Sequence, residues 1–192
     1  MSGSLKSFQP KEPLHLVTKH QAIDAGLDYL HGAGADFICK VCIPSGGSCC
    51  TGCSFLNNGV GCQQRNTSCT AWLCGFLKYI FYEAGLITEW ESFWDQVPGQ
   101  QFREDTTPPS FVVDRMLESP KIRFLSEAFA EDLKEQIAIN YPYWVLEIKE
   151  TLDRYVDMLM DYTDPEIKRK IEKKLRYVLK DFKNLQLALE ML

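Results

Sequence analysis

A mainly α-helical fold wrapped around one irregular, cysteine-rich segment follows from three features of this 192-residue chain. All eight cysteines fall between Cys39 and Cys74. Glycine, proline and asparagine crowd the same window, while helix-start signals and apolar residues at helical spacing fill most of the remainder. No convincing strand longer than a few residues is expected. The composition is 45% hydrophobic, enough for a real core without cross-links, and no apolar run approaches the ~18–20 residues of a membrane span.

The elements follow in order. Residues 1–35 hold a polar N-terminal segment and one helix, opened by the capping box Thr18-x-x-Gln21. Ile23, Leu27 and Leu30 form its apolar stripe, and Gly32 and Gly34 end it. Residues 36–97 make the cysteine-rich module with its flanking helices. Between Cys42 and Cys62 lie Pro44, Gly46, Gly47, Gly52, Asn57, Asn58, Gly59 and Gly61, turn residues that bury too little to order themselves. A helix is expected from Thr67 to Glu83, closed by Gly85, with Cys69 in its first turn and Cys74 about a turn later. Thr88 and Glu91 read as a capping box for a short helix carrying Trp90, Phe93 and Trp94.

Residues 110–192 form a C-terminal helical region ending in a helical hairpin. Phe111 to Leu117 reads as a short helical piece, and Ser119-Pro120 opens a longer helix through Leu125, Phe129 and Leu133. After Pro142 a helix runs from Tyr143 to Tyr162. Thr163-Asp164-Pro165-Glu166 then starts a last one, striped by Ile167, Ile171, Leu175, Val178, Phe182 and Leu185 almost to Leu192.

The chemistry lies in the cysteines, spaced C-x2-C-x6-C-C-x2-C-x8-C-x6-C-x4-C through Cys39, Cys42, Cys49, Cys50, Cys53, Cys62, Cys69 and Cys74. Thiolates are soft ligands, and a C-x2-C pair lets a tight turn grip one metal ion. Eight thiols suffice for two four-cysteine sites. One partition takes Cys39, Cys42, Cys50 and Cys53, leaving Cys49, Cys62, Cys69 and Cys74; a single site with four spare thiols is the other. Zinc is the first expectation for the cofactor and an iron–sulfur cluster the alternative. Neither a C-x3-C-x2-C triad nor the bacterial ferredoxin run C-x2-C-x2-C-x3-C-P occurs. Four disulfides are the competing reading. Met1 to Pro13 lacks the apolar stretch of a secretory signal, so a cytoplasmic, reducing location and hence metal are expected.

Cys49-Cys50-Thr51-Gly52-Cys53-Ser54-Phe55-Leu56, then Gly61-Cys62, Arg65, Cys69 and Trp72-Leu73-Cys74, resembles the YkgJ-like zinc- or iron-chelating cysteine-cluster family. The resemblance spans residues 39–82. It implies metal chelation and transfers no reaction.

Other candidates have plainer readings. His15, His20 and His31 precede the cluster; His31 could reach a metal, but eight thiols already fill two sites, which makes it a surface or helix-end residue. Residues 164–183 carry eight Lys or Arg against four Asp or Glu, whereas the whole chain is −5. That helix could touch nucleic acid, but a solvated amphipathic face is favoured, with Glu147, Glu150, Asp153, Asp157 and Asp161 of the preceding helix placed to meet it. Trp90 and Trp94 read as core, or as walls of a groove beside the metal. The expectation is therefore a metal-binding protein whose cysteine centre is structural or chelating and serves a protein partner. An iron–sulfur redox or modification enzyme is the alternative.

Overall fold

The capping box at Thr18 is formed in the computed structural model, which describes residues 14–47, 53–57, 61–62, 65–101, 104–141 and 143–192. Strand β1 (His15–Thr18) passes directly into helix α1 (Lys19–Gly32). There Thr18 Oγ1 accepts from Gln21 N at 3.2 Å, and Gln21 Oε1 accepts from Thr18 N at 2.8 Å. Gly34, at φ 81°, redirects the chain into α2 (Ala35–Cys42). The short strands β2 (Leu56–Asn57) and β3 (Gly61–Cys62) pair antiparallel and precede α3 (Thr67–Ala71), α4 (Gly75–Glu83) and α5 (Ile87–Trp94). Next come β4 (Gln100–Gln101) and β5 (Glu104–Asp105), paired with each other, and β6 (Ser110–Val113). Strand β6 pairs antiparallel with β1, His15 opposite Val113 and Thr18 opposite Ser110. Helices α6 (Arg123–Ile139), α7 (Trp144–Asp161), α8 (Pro165–Val178) and α9 (Lys183–Leu189) complete a mainly helical chain. Among the described residues no helix is long and apolar enough to cross a membrane.

Helix α4 is the centre of the core. Phe76, Leu77, Tyr79, Ile80 and Phe81 are all buried, as a helix apolar on most sides requires. It packs on α7, which in turn carries α8; α6 packs on α2 and α9. Aromatic rings tie these layers together. Tyr29, Phe81, Trp90 and Trp94 form one run with centroids 5.4–5.6 Å apart, and Phe76, Phe129 and Phe182 form another at 5.2–5.4 Å. At such spacings ring pairs add to simple burial.

Helix α8 starts as its sequence requires. Asp164 Oδ1 accepts from Glu166 N and Ile167 N, and Pro165 occupies the first turn. Its cations point outward while Ile171 and Leu175 are buried.

Several expectations are corrected. Phe111 to Leu117 is not helical: its first half is β6, whose alternating burial suits Phe111 and Val113 to the core and Val112 to the surface. Thr88 does not cap α5. Gly85, at φ 69°, ends α4 with paired bonds from Gly85 N to Tyr82 O and Leu86 N to Phe81 O, so α5 starts immediately from Leu86. Ser119 does not open α6, which begins at Arg123; its hydroxyl instead donates to Asp28 O at 2.9 Å. The Thr67–Glu83 helix is broken at Trp72–Cys74, where Trp72 is extended and Trp90 Nε1 donates to Ala71 O at 2.8 Å. The last helix is likewise two. Helix α8 ends at Val178, and α9 restarts against α6. Helix α2, inside the cysteine window, has no counterpart among the expected elements.

Candidate metal centre

The described cysteines sit in the last turn of α2, within α3, at the start of α4 and beside the paired strands β2 and β3. Cys39 and Cys42 occupy the last turn of α2, Cys39 half-buried and Cys42 buried. Cys53 is half-buried just ahead of β2, and the Cys62 backbone pairs with Leu56 across the β2–β3 hairpin. Cys69 is the third residue of α3, its amide held by Asn66 Oδ1 at 2.8 Å. Cys74 is the N-cap residue of α4 and buried. Cys49, Cys50 and the Cys62 side chain lie outside the described residues. Among the described residues no three or more His, Cys, Asp or Glu are grouped to hold a metal ion.

A tight backbone fold follows Cys42. Gly47 N donates to Cys42 O at 2.9 Å, with Gly46 at φ 82° making the turn. The Cys42 thiol in turn donates to Gly47 O at 3.1 Å. A Cβ at Gly47 would stand 2.1 Å from Cys42 Sγ, so only glycine admits this approach.

Helix α3, which carries Cys69, is anchored by one carboxylate. Asp105 accepts from the Thr67 hydroxyl at 2.9 Å and from Thr107 N at 3.1 Å, and pairs with Lys19 Nζ at 2.7 Å. Burial pushes this carboxyl up, but the Lys19 ammonium and the Thr67 and Thr107 donors outweigh it and hold its pKa at about 2. An unfolded Asp titrates near ~3.9, so the resulting stability, roughly 2 kcal/mol, is present above that value and lost as pH falls toward 2. In Asp105→Asn this part of the acid-unfolding profile should flatten. Urea titrations at a series of pH values measure it, and an unchanged slope below pH ~4 would contradict the anchor.

Lys149 is the residue that sequence reading missed. It lies on α7 at the spacing of the buried Val145, Leu152 and Val156, and is itself only 8% exposed. Its Nζ is 3.4 Å from Gly47 O, the oxygen that also accepts from Cys42. Its own carbonyl lies against Gly75, beside Cys74: a Cβ there would be 1.9 Å from Lys149 O. One lysine thus touches the backbone next to both buried cysteines. A cation inside an apolar i, i+3, i+4 stripe was the available signal.

The remaining candidates fall elsewhere. His15, His20 and His31 are exposed. His31 adjoins the Arg123–Asp36 pair, in which two guanidinium nitrogens bind the carboxylate at 2.9 and 3.1 Å. Trp90 and Trp94 are core residues, so they do not wall a groove. Of the acidic residues on α7, Asp153 and Asp157 pair with Lys78 of α4, at 2.6 and 2.8 Å, rather than with α8. Burial alone would lower the Lys78 pKa, but these two carboxylates keep it above its ordinary value. An open cleft of about 570 Å³ lined by Leu14, His15, Gln21, Asp24, Asp28 and Met116, among others, contains no cysteine.

Fold and site together describe a mainly helical protein with a cysteine-rich segment at the ends of its central helices. No family model, curated protein or solved structure matches the chain.

Proposed function

We propose that the clustered thiolates hold zinc and that the centre is structural or chelating, fixing the loops between α2 and α3 for a protein partner. The supporting observation is the confinement of all eight cysteines to one window, whose described members lie on α2, α3 and the start of α4 and beside β2 and β3. In this reading Cys49, Cys50 and Cys62 complete the ligand set with Cys39, Cys42, Cys53, Cys69 and Cys74. Zinc needs only tetrahedral thiolates and closes a structural site, and its binding contributes folding free energy. The resemblance of residues 39–82 to the YkgJ-like family implies chelation, although no family model matches the chain.

Elemental analysis and an absorption spectrum on protein purified without oxygen test the proposal. About two zinc ions per chain and no visible band support it. Iron with acid-labile sulfide and a band near ~400 nm would replace it with the iron–sulfur reading, redox or modifying. No metal, with the thiols paired as disulfides, would overturn both. Cys50→Ser and Cys62→Ser should each release metal and lower the melting temperature together. A variant that loses its metal yet melts like the parent would refute a structural role.

A further inference from the structure

Residues 164–183 carry eight Lys or Arg against four Asp or Glu, and seven of the eight cations are exposed. The acidic residues that could have neutralised them are engaged elsewhere. Asp153 and Asp157 pair with Lys78 of α4, Asp164 caps the start of α8, and Glu172 sits toward Tyr82 and Glu83 of α4. Among the described residues none of the eight cations forms an ion pair. Arg169, Lys173 and Arg176, at i, i+4 and i+7, make one exposed row about 10 Å long, and Lys170, Lys174 and Tyr177 make a second beside it. Like charges at these spacings repel, so the face is stabilised by a ligand that carries negative charge at intervals.

Two exposed aromatic rings stand at the same end of this face. Tyr177 is 71% exposed, with Lys180 Nζ 5.0 Å from its ring centroid, so ring and cation are presented together. Trp144, the first residue of α7, stacks on Phe182 at 6.4 Å, which brings the preceding Tyr143, also 71% exposed, to the end of α8 where Tyr177 lies. We infer that this face binds single-stranded nucleic acid, the cation rows of α8 following phosphates while Tyr177 and Tyr143 stack on unpaired bases. A positive surface that tracks the backbone and aromatic side chains that take the bases are the two parts such binding needs. An anionic bilayer fits less well, because the apolar side of α8 is already used: Ile171 and Leu175 are buried. The net charge of −5 does not oppose the contact, since charges beyond about 10 Å are largely screened at ~0.1 M salt. The surface contains no cysteine and is separate from the metal-binding reading.

The test is fluorescence anisotropy of a labelled ~20-nucleotide oligouridylate with the full-length protein, read between about 50 and 200 mM salt. Log affinity should fall against log salt with a slope of about −3, as about four neutralised phosphates on a single strand require. The triple variant Arg169→Gln, Lys173→Gln, Arg176→Gln should bind at least ~10-fold more weakly at low salt and lose about 2 from that slope. Tyr177→Ala should bind at least ~5-fold more weakly with the slope unchanged, which loss of charge alone does not produce. Lys121→Gln with Lys134→Gln, exposed cations outside α8, should stay within ~2-fold of the parent. A parent that leaves the oligonucleotide free at low salt would overturn the inference. So would a Tyr177→Ala protein that binds like the parent, or a Lys121, Lys134 pair that matters as much as the α8 triple. Binding to phosphatidylserine vesicles without binding to the oligonucleotide would assign the face to a membrane and overturn it as well. If circular dichroism shows that the triple variant does not fold, Lys173→Gln alone takes its place, with an expected loss of ~0.7 in slope; no change would count against the proposal.

Discussion

Gly75→Val is expected to be among the most damaging single substitutions outside the cysteines. Gly75 is the first residue of α4 and packs directly against the backbone of α7. Even a Cβ there would lie 1.9 Å from Lys149 O and 2.8 Å from Asp153 N, both backbone atoms that cannot rotate away. The helices must separate, and α4 carries Phe76, Ile80 and Phe81, which are fully buried. Forced overpacking of this kind costs about 3 kcal/mol. For a chain of this size that corresponds to a fall of about 6–12 °C in melting temperature. Gly75→Ala should act in the same direction, by less. A Gly75→Val protein melting within ~2 °C of the parent would mean that α4 and α7 do not cross this closely.

Asp132→Ala should cost a similar amount for a different reason. Asp132 is buried on α6 and accepts from Asn184 N at 3.2 Å, Asn184 Nδ2 at 2.9 Å and Leu185 N at 2.8 Å. These are the second and third residues of α9, so a carboxylate from another helix does the work of an N-cap side chain. The position that would normally cap α9 is Phe182, which instead stacks on Phe129 and has no side-chain acceptor. Removing Asp132 strips the cap and leaves buried N–H groups without acceptors, together about 3 kcal/mol. Urea unfolding should show a lower midpoint with an unchanged slope, and amide exchange should accelerate first in α9. Asp132→Asn, which retains an oxygen acceptor, should lose less. Exchange that accelerates uniformly along the chain would argue against a local cap.

Local rules written in consecutive residues were readable without the structure. The capping box at Thr18, the Asp164-Pro165 start of α8 and the boundaries of α7 each depend on groups within four residues of one another, and each is formed. The aromatic residues of α4 were legible as core because the helix is apolar on most sides. The misreadings share one cause. Ser110–Val113 became a strand because β1, some ninety residues earlier, offers it a partner. The break at Trp72–Cys74 and the restart at Phe182 are tied to contacts with Trp90, α7, Phe129 and Asp132 that no local window contains.

The candidate site divides along the same line. A mainly helical chain with all its thiols in one loop-rich window could be read from the residues alone. Periodicity, caps and cysteine spacing are short-range properties, and they survive without knowledge of neighbours. The burial of Cys42 and Cys74, the close approaches at Gly47 and Gly75 and the contact of Lys149 with both emerge from the packed fold. The reason is geometric: a charge acts over a few ångströms of space, and folding brings residue 149 to residue 47 across a hundred intervening positions.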